Sequence, residues 1–264
     1  MFLVDAMKAD PPVSRQKINN RDLAVSVLII LIGWQLVVWI TEVPRYILPG
    51  PLAVAEALVK YVDLLAMHAW VTAIEVVAGL ILGILLGMVT AMYLIMSATA
   101  TRYIMPILVI SQTVPVFALA PILTLWFGYG IGSKIAMAVL IIYFPVVSSF
   151  LDGLRATPKG FLDLAQSMRA TKFNTLIQVR LPAALPSLSS GIRLATVYAP
   201  IGAIIGEWVG ASQGLGYLML LANGRVKIDL MFEALVTSCI FTLLLRAVTN
   251  VLCNKLDEWA GQSH

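Results

Sequence analysis

Residues 70–95 read WVTAIEVVAGLILGILLGMVTAMYLI, with one charged side chain, Glu75, and glycines at 79, 83 and 87. A run of this length exceeds the roughly 20 apolar residues that carry a helix across a hydrocarbon core about 30 Å thick. The spacing of Gly79, Gly83 and Gly87 repeats every four residues. That is the small-xxx-small pattern that lets helices approach closely in lipid, although glycine is also common in membrane helices at large. Five further apolar runs flank this one, at about 23–41, 103–127, 134–151, 188–209 and 232–252. The sequence therefore predicts an all-α, polytopic transmembrane bundle of about six spans. The composition agrees, because 60% of the 264 residues are hydrophobic and 12% are charged. A water-soluble domain of this size carries about a quarter charged residues.

The third run holds Pro106, Pro115 and Pro121, the fourth Pro145 and the fifth Pro200. Proline removes a backbone donor, which lipid tolerates only where neighbours satisfy the released carbonyl. The third and fourth spans are therefore expected inside the bundle or beside a cavity. Orientation follows from the cations. With the N-terminus in the cytosol, that side collects Lys8, Arg15, Lys17, Arg21, Arg102, Arg155, Lys159, Arg169, Lys172, Arg180, Arg193, Arg246 and Lys255. Arg45, Lys60, Lys134, Arg225 and Lys227 fall on the other side. Thirteen against five puts both termini in the cytosol, with residues 1–22 as a tail and 23–255 as the membrane domain.

The net charge of +4 follows this sidedness and gives no sign of nucleic acid. Cys239 and Cys253 have neither CxxC spacing nor a paired histidine, so no disulfide or zinc site is expected. No catalytic residue or metal ligand emerges. His68 and His264 are placed outside the spans, and HExxH and GxSxG are absent, which argues against an intramembrane enzyme. A secondary transporter would show repeated halves and charges for ion coupling, and neither is evident.

The longest segment on the cytosolic side, 152–187, differs from the other connections. Thr157-Pro158 suggests a helix start, with the hydroxyl as cap and proline in the first turn. Phe161, Leu164, Ala165 and Met168 then fall on one helical face. A second short helix is expected over 171–179, ended at Leu181-Pro182 by the restriction proline places on its predecessor. An amphipathic pair of this kind either lies on lipid or fills a groove on another protein. Its small and mixed apolar residues favour the protein groove.

Asp163-Leu164-Ala165, then Arg169, then Val179, Leu181 and Pro182 resemble the EAA loop of binding-protein-dependent ABC importer permeases. That loop reads E-A-A, three residues, G, nine residues, I, one residue, L-P. Arg169 stands where the loop usually has glycine, a residue suited to left-handed backbone angles. The resemblance extends along most of the chain. Ile47-Leu48-Pro49-Gly50-Pro51, Gln112-Thr113-Val114-Pro115, Ala120-Pro121 and Trp126-Phe127-Gly128 are similar to the nitrate/sulfonate/taurine branch. Residues 206–212 (GEWVGAS) and 214–217 (GLGY) are similar to that branch too, and especially to permeases for thiamine-precursor pyrimidines.

What the resemblance implies is an alternating pore between two copies of the permease, in a bacterial cytoplasmic membrane. Cytosolic ABC ATPase subunits would couple through Asp163, Leu164, Ala165, Met168, Arg169, Val179, Leu181 and Pro182, and an extracytoplasmic solute-binding protein would deliver solute. The chain has no GxxxxGK[ST] loop, so ATP and Mg belong on the partner ATPase and no cofactor is expected here. Candidate residues for the translocation path are Gln112, Thr113, Tyr198 and Glu207. Gln112 and Thr113 suit either a polar solute or the carbonyl that Pro115 releases. Glu207 reads either as an interfacial acid with a local partner or as an acid on the path or its outer gate. Glu75 and Arg246 read as structural. The expected solute is a small aminopyrimidine, with an organosulfonate, taurine or nitrate-like solute as the alternative.

Overall fold

A computed structural model describes residues 20–260. All but the last residues of the expected tail lie outside the described residues. Cα packing separates Met1–Ala53 from Val54–His264. The first unit contains α1 (Asn20–Thr41), an apolar helix with no buried side chain among those described. Beyond it, Pro44 O accepts the N–H groups of Ile47 and Leu48 and closes a turn.

After α2 (Pro51–Lys60), the second unit is built on three long helices: α3 (Val62–Met96), α6 (Ile131–Arg155) and α9 (Leu181–Gly210). Helix α6 packs between the other two, and glycines set the distances. A Cβ at Gly79 would lie 2.6 Å from Ala138 Cβ, at Gly83 2.5 Å from Ile142, and at Gly87 2.7 Å from Val146. The repeat in residues 70–95 is thus the contact face of α3 on α6. On α9, Gly202 brings its backbone against that of Ala138, where a Cβ would lie 2.6 Å from Ala138 Cα. Val76, Ile142, Val146, Phe150, Leu154, Leu188, Ala195 and Ala199 fill the space between. Facing outward, Leu85, Val89, Leu243 and Val248 are all more than half exposed. Lipid is the solvent that accommodates so large an apolar exterior.

Two sequence expectations are corrected here. The third span is not one helix but two, α4 (Ala98–Ser111) and α5 (Val116–Phe127), bent by 100°. Pro106 and Pro121 lie within helices, and the break falls at Pro115 alone. The chain before it closes on itself: Ser111 Oγ donates to Leu108 O and Thr113 Oγ1 to Ile110 O. These side chains compete with the next helical turn while Pro115 can donate nothing to it. His68, placed outside the spans by sequence, lies within α3 and is buried. Among the described residues, the long, apolar helices number five, or six if α4 and α5 count as one span.

The cytosol-assigned segment forms α7 (Lys159–Ser167) and α8 (Lys172–Thr175). Thr157 does not cap α7, because its hydroxyl is buried and donates to Leu154 O. The helix also does not stop at Leu181-Pro182. It runs from α8 through a π-helical turn, Leu176–Arg180, directly into α9. Within that turn Leu181 N–H reaches Leu176 O. The widened ring leaves room for the proline that follows. Two further helices complete the unit, α10 (Leu215–Gly224) and α11 (Ile228–Trp259). Helix α11 joins α9 through Arg193, which bonds Asp257 and Asn254, each at 2.9 Å.

Candidate functional site

The α7–α8 turn is built by backbone hydrogen bonds. Arg169 N–H donates to Gln166 O and Ala170 N–H to Ala165 O, both at 2.9 Å. This pair of bonds is the Schellman ending of a helix, whose left-handed residue is usually glycine. Arg169 occupies that place with φ 55°. Thr171 then caps α8, its Oγ1 accepting Asn174 N–H at 3.2 Å.

Helix α7 buries only Ala165. Phe161, Leu164 and Met168 are 59%, 58% and 74% exposed. With Ala165, Val179 and Pro182 they border a groove of about 590 Å³ that Arg169 also lines. Six of the eight residues in the sequence-derived coupling set meet at this groove. Asp163 stays on the exposed face of α7, and Leu181 packs toward the core. The arrangement offers an apolar slot and no reactive group.

The other polar assembly lies at the far end of α9 and is enclosed. Glu207 is 1% exposed, Glu75 3%, Lys134 1%, His68 5% and Thr72 0%. Glu207 Oε2 accepts Gly216 N–H. Its Oε1 accepts from Thr72 Oγ1 at 2.6 Å, while that hydroxyl accepts Leu215 N–H at 2.8 Å. His68 Nδ1 accepts Gly214 N–H at 3.0 Å. These acceptors satisfy the first N–H groups of α10, which have no partner within their own helix. A carboxylate there also meets the positive end of the helix dipole. Gly214 has φ 110°, and a Cβ on it would collide with the Glu207 carboxyl group. Glu75 lies beside Glu207 in this enclosure. Lys134 Nζ donates to Tyr129 O and Gly210 O, each at 2.7 Å.

The four candidate path residues therefore do not form one lining. Glu207 is sealed within the protomer as the local anchor of α10. Gln112 and Thr113 are exposed at the α4–α5 break, with the Thr113 hydroxyl already given to a carbonyl. Tyr198 is 38% exposed on α9. Sequence reasoning missed α10 and the roles of Thr72, His68 and Lys134. The available signal was the apolar run 215–222 behind a glycine, too short to span.

The family described as the inner membrane component of binding-protein-dependent transport systems matches residues 79–260. The chain belongs to this family. It is a multi-pass inner-membrane permease of the ABC type, a transport component rather than an enzyme, with the ATPase on a separate chain. A probable ABC transporter permease of Haemophilus influenzae is 52% identical, covering 81% of this chain and 86% of its own. The formylaminopyrimidine transport permease ThiX of Halalkalibacterium halodurans is 38% identical, over 72% and 76%. SsuC of Bacillus subtilis, a putative aliphatic sulfonates transport permease, is 28% identical, over 88% and 84%. Among solved structures, a chain of the MetNI methionine ABC transporter has the same fold, with a TM-score of 0.66 and 20% identity. The match covers 75% of this chain and 98% of that one.

Proposed function

We propose that the chain forms, with a second copy of itself, the translocation path of an ATP-driven importer for a small aminopyrimidine of the thiamine-precursor class. Cytosolic ABC ATPase subunits carrying ATP and Mg dock on the α7 groove, and an extracytoplasmic binding protein delivers solute at the opposite end. Both termini are cytosolic. The observation that carries the coupling assignment is the apolar face of α7: three large side chains exposed beside a slot, at the end where the cations collect. Unfilled, such a face is costly in water, and an amphipathic helix in a groove is a recurrent solution.

The solute assignment rests on the formylaminopyrimidine permease at 38% identity, against 28% for the sulfonate permease. The accessible polar groups agree with it. Gln112 and Tyr198 are neutral hydrogen-bonding side chains suited to an uncharged ring, whereas a sulfonate would favour cationic donors. The test is growth of a strain unable to make the pyrimidine, with this gene deleted, on low concentrations of supplied pyrimidine. Lost growth supports the assignment. Unchanged growth together with lost use of a sulfonate transfers it to organosulfonates. For orientation, a cysteine at Lys172 should resist an impermeant label in intact cells, while one at Lys227 should react.

A further inference from the structure

A second cavity, of about 690 Å³, is bounded by α7, α8, the π turn and the junction of α3 with α4. Three cations line it, Arg169, Lys172 and Arg180, and no carboxylate does. Neither Arg169 nor Lys172 has an acidic partner among the described residues, where Arg155 and Arg193 do. Arg180 is held in place by one bond, Nη1 to Leu154 O at 2.8 Å, and a guanidinium has further donors to offer. On the same cavity Ile95, Met96 and Leu176 supply an apolar wall. Met96 ends one candidate span and Ala98 begins the bent pair, so the cavity sits at the level where spans emerge.

The backbone supplies an independent observation. Arg169 is held left-handed at a Schellman ending, where glycine sits without steric cost. A strained residue persists where its surroundings over-determine it, and such residues cluster at ligand sites. An arginine here points to a use for the guanidinium.

We propose that this cavity binds the phosphate of an anionic phospholipid headgroup, with Arg169, Lys172 and Arg180 as donors and the α3–α4 junction against the lipid's apolar part. A soluble phosphate would share the cationic half but gain nothing from Ile95, Met96 and Leu176. The inference does not depend on the solute assignment, and it shares Arg169 with the groove of the ATPase assignment. The test is native mass spectrometry of the purified full-length chain, released from nanodiscs containing phosphatidylglycerol or phosphatidylcholine. Arg169→Gly and Lys172→Gln are the variants, the first placing in the turn the residue its geometry favours. Phosphatidylglycerol should be retained in preference, each variant should weaken its retention about fivefold, and Arg169→Lys should keep most of it. Phosphatidylcholine retention should not change. Equal phosphatidylglycerol retention by parent and both variants would overturn the proposal. So would protection of the cavity by inorganic phosphate with no retained phosphatidylglycerol, which would mark a soluble-anion site. Unchanged lipid retention with lost ATPase copurification would also overturn it, assigning these cations to a protein interface.

Discussion

The two ends of α9 handle short helices in opposite ways. At one end, α10 is held by partners from within the chain: His68, Thr72 and Glu207 receive the N–H groups of Gly214, Leu215 and Gly216. At the other, α7 has its turn closed by the backbone but leaves Phe161, Leu164 and Met168 exposed. One end is complete in the protomer; the other is complete only when something covers it. Substitutions at the first should therefore register as stability, and at the second as association.

The largest effect is expected from Glu207→Ala. It strips the acceptor from Gly216 N–H and the Thr72 hydroxyl, and removes a carboxylate near the buried Lys134. Breaking such a buried set costs about 3–5 kcal/mol. Thermal denaturation of the purified chain should show a large loss, with Glu207→Gln less affected because an acceptor oxygen remains. Equal losses for the two would mean that packing, not hydrogen bonding, anchors α10.

Leu164→Asp should do the reverse. It puts a charge on an exposed apolar position of α7 that borders the groove. Association with the ATPase should weaken by at least about 2 kcal/mol, roughly thirtyfold, with the melting temperature of the isolated chain little changed. Normal copurification and transport would remove the groove from the coupling assignment.

Between the two ends, Gly202→Ala should cost about 1–3 kcal/mol. The new methyl group meets Ala138 backbone, which cannot move aside. Gly83→Ala should cost less, because its neighbour is the end of the Ile142 side chain. If the two melt alike, α6 shifts as a body and the glycine distances are softer than the backbone contact suggests. The smallest effect is a gain: Arg169→Gly relieves a left-handed non-glycine residue worth about 1 kcal/mol. Slower hydrogen exchange at Ala170 N–H would register it, and faster exchange would mean the arginine side chain contributes more than its backbone angle costs.

The spans were legible because lipid imposes a length and a composition on every crossing helix, and residues 70–95 meet both. The glycine repeat even indicated which face of α3 is packed. Pro106, Pro115 and Pro121 looked equivalent, since what separates them is whether the preceding hydroxyls turn back on their own helix. That depends on Ser111 and Thr113 and not on proline count. Leu181-Pro182 misled for a related reason: proline forbids a narrow hydrogen-bonded ring around it, and the chain answered with a wide one instead of an ending. The residues of the expected coupling set are close in sequence, so six of eight meet at one groove. Glu207 was not legible, because its partner Thr72 lies more than 130 positions away, and no local pattern reports such a meeting. His68 sealed inside α3 is the same kind of omission.

The π turn at Leu176–Arg180 fixes an angular phase. Because α8 continues through it into α9 without a break, the two short helices are mounted on the end of a span like a key on its shaft. A π turn holds one residue more than an ordinary helix needs for the same advance. Deleting Gln178 would let the turn close into regular α-helix with the phase nearly kept, whereas removing a residue from regular helix turns everything before it by about 100° and draws it in by about 1.5 Å. The turn therefore absorbs one residue of length change without redirecting the apolar face of α7.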